Sequence, residues 1–169
     1  MPGNTHSNGH TIPELLAMLG IASILALAAV PVFSNLLLEA RMSAAVATAM
    51  HAINLARQLS ATRSELFRLC GSDDERSCSG RPDWSASLLL IDERESFRQG
   101  VPLSTGNGTP RIRSNRATLS FEAGSGFATP ATLTLCNRRG TSAARSVIVS
   151  RSGRPRTSNR DASDKALSC

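Results

Sequence analysis

An uninterrupted apolar run lies near the N-terminus of the chain. From Leu15 to Phe33 there are nineteen residues without a charged side chain, which is long enough to cross the hydrocarbon core of a bilayer as a helix. A secretory signal peptide has a basic start and a shorter apolar core that ends at a cleavage site. Here the first eight residues contain no Lys or Arg, and the run continues into a second helical pattern. We therefore predict a membrane-spanning helix.

After Phe33 the apolar positions recur every three or four residues, which is the pattern of an amphipathic helix. Pro31 removes one helical hydrogen bond and clashes with the preceding turn. The pattern predicts one helix from about Thr11 to about Arg68, bent at Pro31, with its C-terminal half packed on a globular domain. The apolar stripe of that half consists of Met42, Val46, Ala49, Ile53, Ala56, Leu59 and Leu66.

Short runs with the period of β-strands follow the helix, separated by clusters of turn residues. Their sequences are WSASLLLI, RIRSN, ATLSFEA, ATLTLC and RSVIVS. The alternation in Thr132-Leu133-Thr134-Leu135 is typical of an antiparallel sheet with one buried face. The predicted fold class is therefore α+β, with a long N-terminal helix packed on a C-terminal antiparallel β-sheet domain.

All four cysteines follow the apolar run, and none belongs to a C-x-x-C pair, which disfavours a zinc site. If this part of the chain is exported, an even number of cysteines favours two disulfides. Three pairings are possible. We favour Cys70–Cys78, which closes a short loop, and Cys136–Cys169, which would attach the tail to the domain. The acidic residues between Cys70 and Cys78 lack the spacing of a calcium loop, and no cofactor is predicted.

Positive charge is concentrated in the C-terminal third. The net charge is +6, yet residues 111–169 contain eleven Arg or Lys against three acids. Residues 123–160 contain seven Arg and no acid at all. A solvated basic face is the ordinary interpretation of such a segment, whereas a block of one sign also favours a surface that binds polyanions.

The N-terminal segment G-H-T-I-P-E-L-L resembles the leader motif of type IV prepilins and pseudopilins. The resemblance implies cleavage after Gly9 by a prepilin peptidase and methylation of His10. It also implies that Glu14 neutralises the amino terminus of a neighbouring subunit and that Pro31 marks a kink or melted stretch. Before assembly such a protein spans the inner membrane once, in contact with its lipid, with the C-terminal domain in the periplasm. After assembly it lies in the pilus at the cell surface.

The rest of the chain is similar to the GspH/FimT family of minor pilins and pseudopilins. The similarity rests on L-C…S-C-S-G…D-W, A-T-L-T-L-C-N-R-R-G and V-I-V-S-R-S-G-R-P-R. It implies the type IV pilin fold, with a leader at 1–9, an apolar helix at 10–33, an amphipathic half at 34–68 and a β-sheet domain at 69–169. In the FimT branch a G-R-x-R tail is associated with DNA binding in natural transformation. The matching positions are Gly153, Arg154 and Arg156.

The residue chemistry of this tail suits phosphate. Pro155 favours extended backbone, so Arg154 and Arg156 would point to one side, and each guanidinium can bond phosphate oxygens bidentately. Gly153 permits a tight turn or a close approach to phosphate. No aromatic residue is interleaved with these arginines, which favours duplex DNA bound through its backbone over base stacking. We expect the patch to be extended by Arg151, Arg160, Arg138, Arg139 and Arg145.

The sequence leaves one alternative function and disfavours another. A purely structural pseudopilin of a type IV pilus or a type II secretion pseudopilus needs the same N-terminus but does not need the basic tail. An enzyme is disfavoured because His6, His10 and His51 have no partner constellation and no nucleotide-binding glycine motif is present.

Overall fold

The computed structural model describes residues 11–103 and 108–169, apart from the side chains at positions 28 and 31. Helix α1 spans Ile12–Arg63. A 3₁₀ turn, Thr141–Ala143, precedes β7. The strands are β1 Phe67–Ser72, β2 Ser87–Asp92, β3 Arg98–Pro102, β4 Arg111–Ser114, β5 Thr118–Phe121, β6 Ala131–Cys136, β7 Arg145–Val149 and β8 Pro155–Ser158.

The single long helix predicted from the apolar pattern is confirmed, but its end is not where the pattern placed it. The helix ends at Arg63 instead of near Arg68. Ser64 adopts a left-handed conformation with φ 53°, and β1 begins three residues later. The helical conformation is continuous across position 31, and the kink or melted stretch at Pro31 stays a prediction.

The described residues form two compact units, and the first ends at Leu37. Within its described part, the helix contains a window of 18 residues with a mean hydropathy of 2.5, none of it buried. The exposed side chains include Leu16, Ile24 and Phe33. This segment is long and apolar enough to cross a bilayer.

The second unit, Leu38–Cys169, contains two antiparallel sheets where the sequence predicted one. Sheet A has the strand order β3-β2-β1-β5 and sheet B the order β4-β6-β7-β8. Strands β1, β3 and β8 were not predicted. Residues of β1 had been assigned to the helix end and the cysteine loop, while β8 begins at a proline, which is tolerated at a strand start on a sheet edge.

The core of the second unit forms between the helix and the sheets. The predicted stripe supplies Met42, Ala49, Ile53 and Ala56, all essentially inaccessible to solvent. Val46 and Leu59 pack against this core while half-buried. Trp84, Phe67, Phe121, Leu133 and Val147 contribute from the sheets and the segment before β2. Each such fully buried apolar side chain stabilises the fold by about 1.5–3 kcal/mol.

Both disulfides favoured by the sequence form. Cys70 and Cys78 have their Cα atoms 5.7 Å apart, and Cys136 and Cys169 have theirs 5.8 Å apart. The first bond closes the polar loop after β1. The second fastens the end of the chain to the end of β6.

Candidate nucleic-acid interface

The arginine tail forms a tight hairpin loop between β7 and β8, and we call residues 150–156 the arginine loop. The backbone N–H of Gly153 donates to the carbonyl of Ser150 at 2.9 Å. The N–H of Ser150 donates to the carbonyl of Arg154 at 3.2 Å, and the Ser150 hydroxyl donates to the same carbonyl at 3.2 Å. These bonds fix the backbone from which the arginines project.

Gly153 anchors this loop against the rest of the domain. It is buried and has φ 72°, a left-handed conformation that favours glycine. A Cβ atom there would lie 2.9 Å from Cδ of Arg57 and closer still to the carbonyl oxygen of Gly126. Gly153 therefore sets the turn, and because it is buried its backbone cannot approach a phosphate as the sequence had allowed.

Helix α1 holds the loop from beneath through Arg57. Its Nε donates to the carbonyl of Ser152 at 3.1 Å. On the other side, the N–H of Ala128 donates to the carbonyl of Arg151 at 2.9 Å. The loop is thus bonded both to the helix and to the turn that follows β5.

Three arginines project from this fixed loop. Arg151, Arg154 and Arg156 are exposed, and within the described residues their side chains form no ion pair. Val149 belongs to the core and pairs with Pro155. Arg154 and Arg156, one residue to either side of Pro155, therefore lie on the opposite face of sheet B. We call this the outer face.

Arg139 and Arg145 have an acid partner that the sequence could not supply. The partner is Glu39 on helix α1. Nη2 of Arg139 lies 2.5 Å from Oε2 of Glu39, and Nη2 of Arg145 lies 3.2 Å from Oε1 of Glu39. The hydrogen bond from Arg139 has the largest effect and the hydrogen bond from Arg145 the next largest, and together they hold the pKa of Glu39 below its usual value. Since Glu39 is 100 residues from Arg139 in the chain, the acid-free segment gave no hint of this pair.

Two further predicted residues also lie away from the loop. Arg160 donates to the carbonyl of Asp164 at 2.9 Å and lies 3.7 Å from its carboxylate. Arg138 is exposed in the turn after β6. Arg154, which directly precedes β8, and Ser158, at the far end of β8, are four residues and so about 13 Å apart. The predicted arginines therefore divide into a loop group and a group at the opposite end of sheet B.

Sequence reasoning missed Phe127. Its side chain is 48% exposed, and it directly precedes Ala128, whose N–H bonds Arg151. An aromatic residue does therefore lie beside the arginine loop. The sequence pattern did not indicate this position, because the hydrogen bond joins two segments that are remote in the chain.

Gly9 and His10, the predicted cleavage and methylation positions, lie outside the described residues. Glu14 lies in the first turn of α1, where its carboxylate accepts the backbone N–H of Thr11 at 3.4 Å. This bond satisfies one of the free N–H groups at the helix start. Its role toward another subunit stays a prediction.

The model of the family described as type II transport protein GspH matches residues 45–153, which is more than half of the chain. The chain belongs to the GspH family. The match ends at Gly153, one residue before Arg154, so membership does not depend on Arg154 and Arg156. Members of this pilin and pseudopilin family are structural proteins, and this GspH-family chain is not an enzyme.

Solved structures support the fold. Two crystal structures of the type IV minor pilin FimU of Pseudomonas aeruginosa are similar to this chain. In space group P21 the TM-score is 0.54 at 17% identity, covering 75% of this chain and 92% of FimU. In space group P65 it is 0.51 at 20% identity, covering 74% and 96%. No curated protein sequence matches the chain.

The GspH-family chain therefore has the type IV pilin fold and is a minor pilin-like or pseudopilin-like protein. The predicted fold class and family are confirmed. The narrower assignment to the FimT branch stays a prediction.

Proposed function

We propose that this protein is a minor pilin that joins a type IV pilus and binds duplex DNA without sequence preference, during DNA uptake in natural transformation. The observation that supports DNA binding most directly is the arginine loop. Its backbone is held by Arg57, Gly153 and Ala128, and Arg151, Arg154 and Arg156 are exposed from it without an ion-pair partner in the described residues. A fixed loop loses little entropy when its arginines engage phosphates.

The chemistry is that of backbone recognition. A guanidinium can form two parallel hydrogen bonds to phosphate oxygens. Three phosphates neutralised by the loop alone would give a slope of about −2.7 for log affinity against log salt. One subunit would bind in the micromolar range or more weakly, on the order of 10⁻⁴–10⁻⁶ M. Several subunits in a filament would add avidity.

The N-terminal residues supply the assembly function in this proposal. Prepilin peptidase cleaves after Gly9, His10 becomes the methylated N-terminus, and Glu14 neutralises the amino terminus of a neighbouring pilin. Before assembly the apolar helix spans the inner membrane once, in contact with its lipid. The second unit then lies in the periplasm, an oxidising compartment that suits its two disulfides.

The test is a titration of the full-length chain in a non-ionic detergent with a fluorescent random-sequence duplex. We compare wild type with Arg154→Glu/Arg156→Glu. The control is Arg76→Glu/Arg94→Glu, which changes the net charge equally at two exposed arginines outside sheet B. We expect the loop variant to lose binding even at low salt. The control should bind within about twofold of wild type at about 0.15 M salt, where charges more than a Debye length of about 8 Å from the duplex are largely screened.

Absence of wild-type binding at low salt would contradict the proposal, and so would a loop variant that binds as well as the control. Either result would favour the second candidate, a purely structural pseudopilin of a type IV pilus or a type II secretion system. The specific observation behind that candidate is the GspH family match, which is complete without Arg154 and Arg156.

A further inference from the structure

A second group of arginines lies around a cavity at the opposite edge of sheet B. The cavity has a volume of about 480 Å³. Arg111 and Arg113 project into it from β4, and Arg138 from the turn after β6. All three are exposed. The remaining lining residues are Asp83, Thr109, Asn137, Cys136 and Cys169.

The strand register places this group on the same face as the arginine loop. Ile112, between Arg111 and Arg113, is fully buried in the core, so the two arginines lie on the outer face. Arg113 pairs with Thr134, Thr134 with Ser146 and Ser146 with Ser158. These four positions form one row across sheet B.

The distance between the two groups follows from this row. It crosses three strand spacings, about 14 Å in all. Arg156 lies two residues along β8 from Ser158, about 7 Å, so the backbones of Arg113 and Arg156 are about 16 Å apart. That span corresponds to roughly five base pairs of duplex at 3.4 Å per step.

The charge at the cavity is unbalanced. Asp83 is the one acidic side chain among the lining residues. It accepts hydrogen bonds from the hydroxyl and the backbone N–H of Ser85, and these bonds, with a smaller contribution from the charge of Arg113, lower the pKa of Asp83. Arg111, Arg113 and Arg138 form no ion pair within the described residues. Three guanidinium groups around one opening repel one another, and an anion bound there would relieve that repulsion.

The chain segment between the two arginine groups carries no net negative charge that would repel a polyanion. Residues 161–168 lie along the outer face beside Arg113, Thr132 and Thr134. Here Arg160 and Lys165 balance Asp161 and Asp164, and Asp161 accepts the backbone N–H groups of Ser163 and Lys165 at 2.8 Å. A strand of DNA that crosses this segment meets no net negative charge.

We infer that Arg111, Arg113 and Arg138 form a second phosphate site, so that one duplex bound at the arginine loop crosses the outer face of sheet B and also contacts this cavity. The inference rests on the proposed function, because its ligand is the phosphodiester backbone of the same DNA. Arg138, predicted as an extension of the loop, belongs to this second site. Arg111 and Arg113 were not predicted at all.

The salt dependence of binding tests this inference by counting phosphates. Six arginines in contact predict a slope of about −5 for the wild type, against about −2.7 for the loop alone. Arg111→Gln/Arg113→Gln should reduce the slope to about −3.6 and weaken binding several-fold at moderate salt. Arg154→Gln/Arg156→Gln should reduce it equally, and Arg76→Gln/Arg94→Gln should leave it unchanged. The full-length chain in non-ionic detergent is used throughout.

The outcomes separate the two proposals. Loss of DNA binding in the loop variant, with wild-type slope and affinity in Arg111→Gln/Arg113→Gln, would overturn the second site and leave the proposed function intact. No wild-type binding to DNA would overturn both.

A second measurement is the thermal stability of the wild type and of Arg111→Gln/Arg113→Gln with inorganic phosphate. The inference is wrong if phosphate stabilises only the wild type while the variant keeps its full affinity for DNA. The cavity would then be a small-anion site. Circular dichroism checks folding, and Arg138→Gln, outside the strands, repeats the test if the strand variant misfolds.

Discussion

At the scale of single residues, Gly153 determines whether the arginine loop can form. We expect Gly153→Ala to destabilise the domain by about 2–4 kcal/mol, since it combines a left-handed alanine with overpacking. The matched control is Gly80→Ala. Gly80 has a similar φ of 67° but open space around a Cβ atom, so it should lose only about 1–2 kcal/mol. Thermal unfolding measures both, and equal losses would show that the contact with Gly126 and Arg57 is unimportant.

Part of the candidate site could be predicted from single residues in the sequence. The G-R-P-R motif located the exposed pair Arg154 and Arg156 because their placement depends on local extended backbone. Arg139 was placed in the same patch, yet it bonds Glu39. Phe127 was overlooked, although its neighbour bonds the loop. In both cases the decisive partner is distant in the chain, and charge patterning along a sequence carries no information on such contacts.

At the scale of elements, Glu39 joins helix α1 to sheet B through Arg139 and Arg145. The pKa of Glu39 is lowered in the folded state, by the hydrogen bond from Arg139 first. Its contribution to stability is therefore present above the unfolded pKa, near 4.5, and is lost as pH falls through the folded pKa. Because the carboxylate is 40% exposed, we expect a contribution of only about 0.5–1 kcal/mol.

The corresponding measurement compares the melting temperatures of wild type and Glu39→Gln across pH. Near neutral pH the variant should melt about 1–4 °C lower, and the difference should disappear as pH falls through the folded pKa. A difference that persists at lower pH would show that Glu39 acts through packing. The control is Glu65→Gln, at a half-buried residue that forms no ion pair within the described residues.

Elements with a clear period were predictable, and those without one were not. The apolar stripe on α1 located the buried face because its period of about 3.6 residues spans several turns. Strand β1 was hidden, since its residues 67–72 follow the stripe without a proline or a cluster of turn residues. Strand β8 begins at Pro155 and is held at the sheet edge by pairing with β7. Its four residues contain no apolar alternation to detect.

At the scale of the whole molecule, the proposed functions are divided between the two compact units. In the proposal, assembly depends on Glu14 in the apolar first unit, and DNA binding depends on arginines in the second unit. If each function depends only on the chemistry of its own unit, changes in one should leave the other intact.

We therefore expect Glu14→Ala to reduce incorporation into filaments at least several-fold, because an amino terminus entering an apolar environment would lose its counter-charge. Immunoblotting of sheared pili against the membrane fraction measures incorporation. The purified variant should bind duplex DNA with wild-type affinity, and Arg154→Glu/Arg156→Glu should be incorporated normally.

A Glu14→Ala protein that enters pili at wild-type levels would remove the assembly role of Glu14. Failure of the loop variant to incorporate would instead mean that the exposed arginines contact another subunit, which is the arrangement expected of a structural pseudopilin.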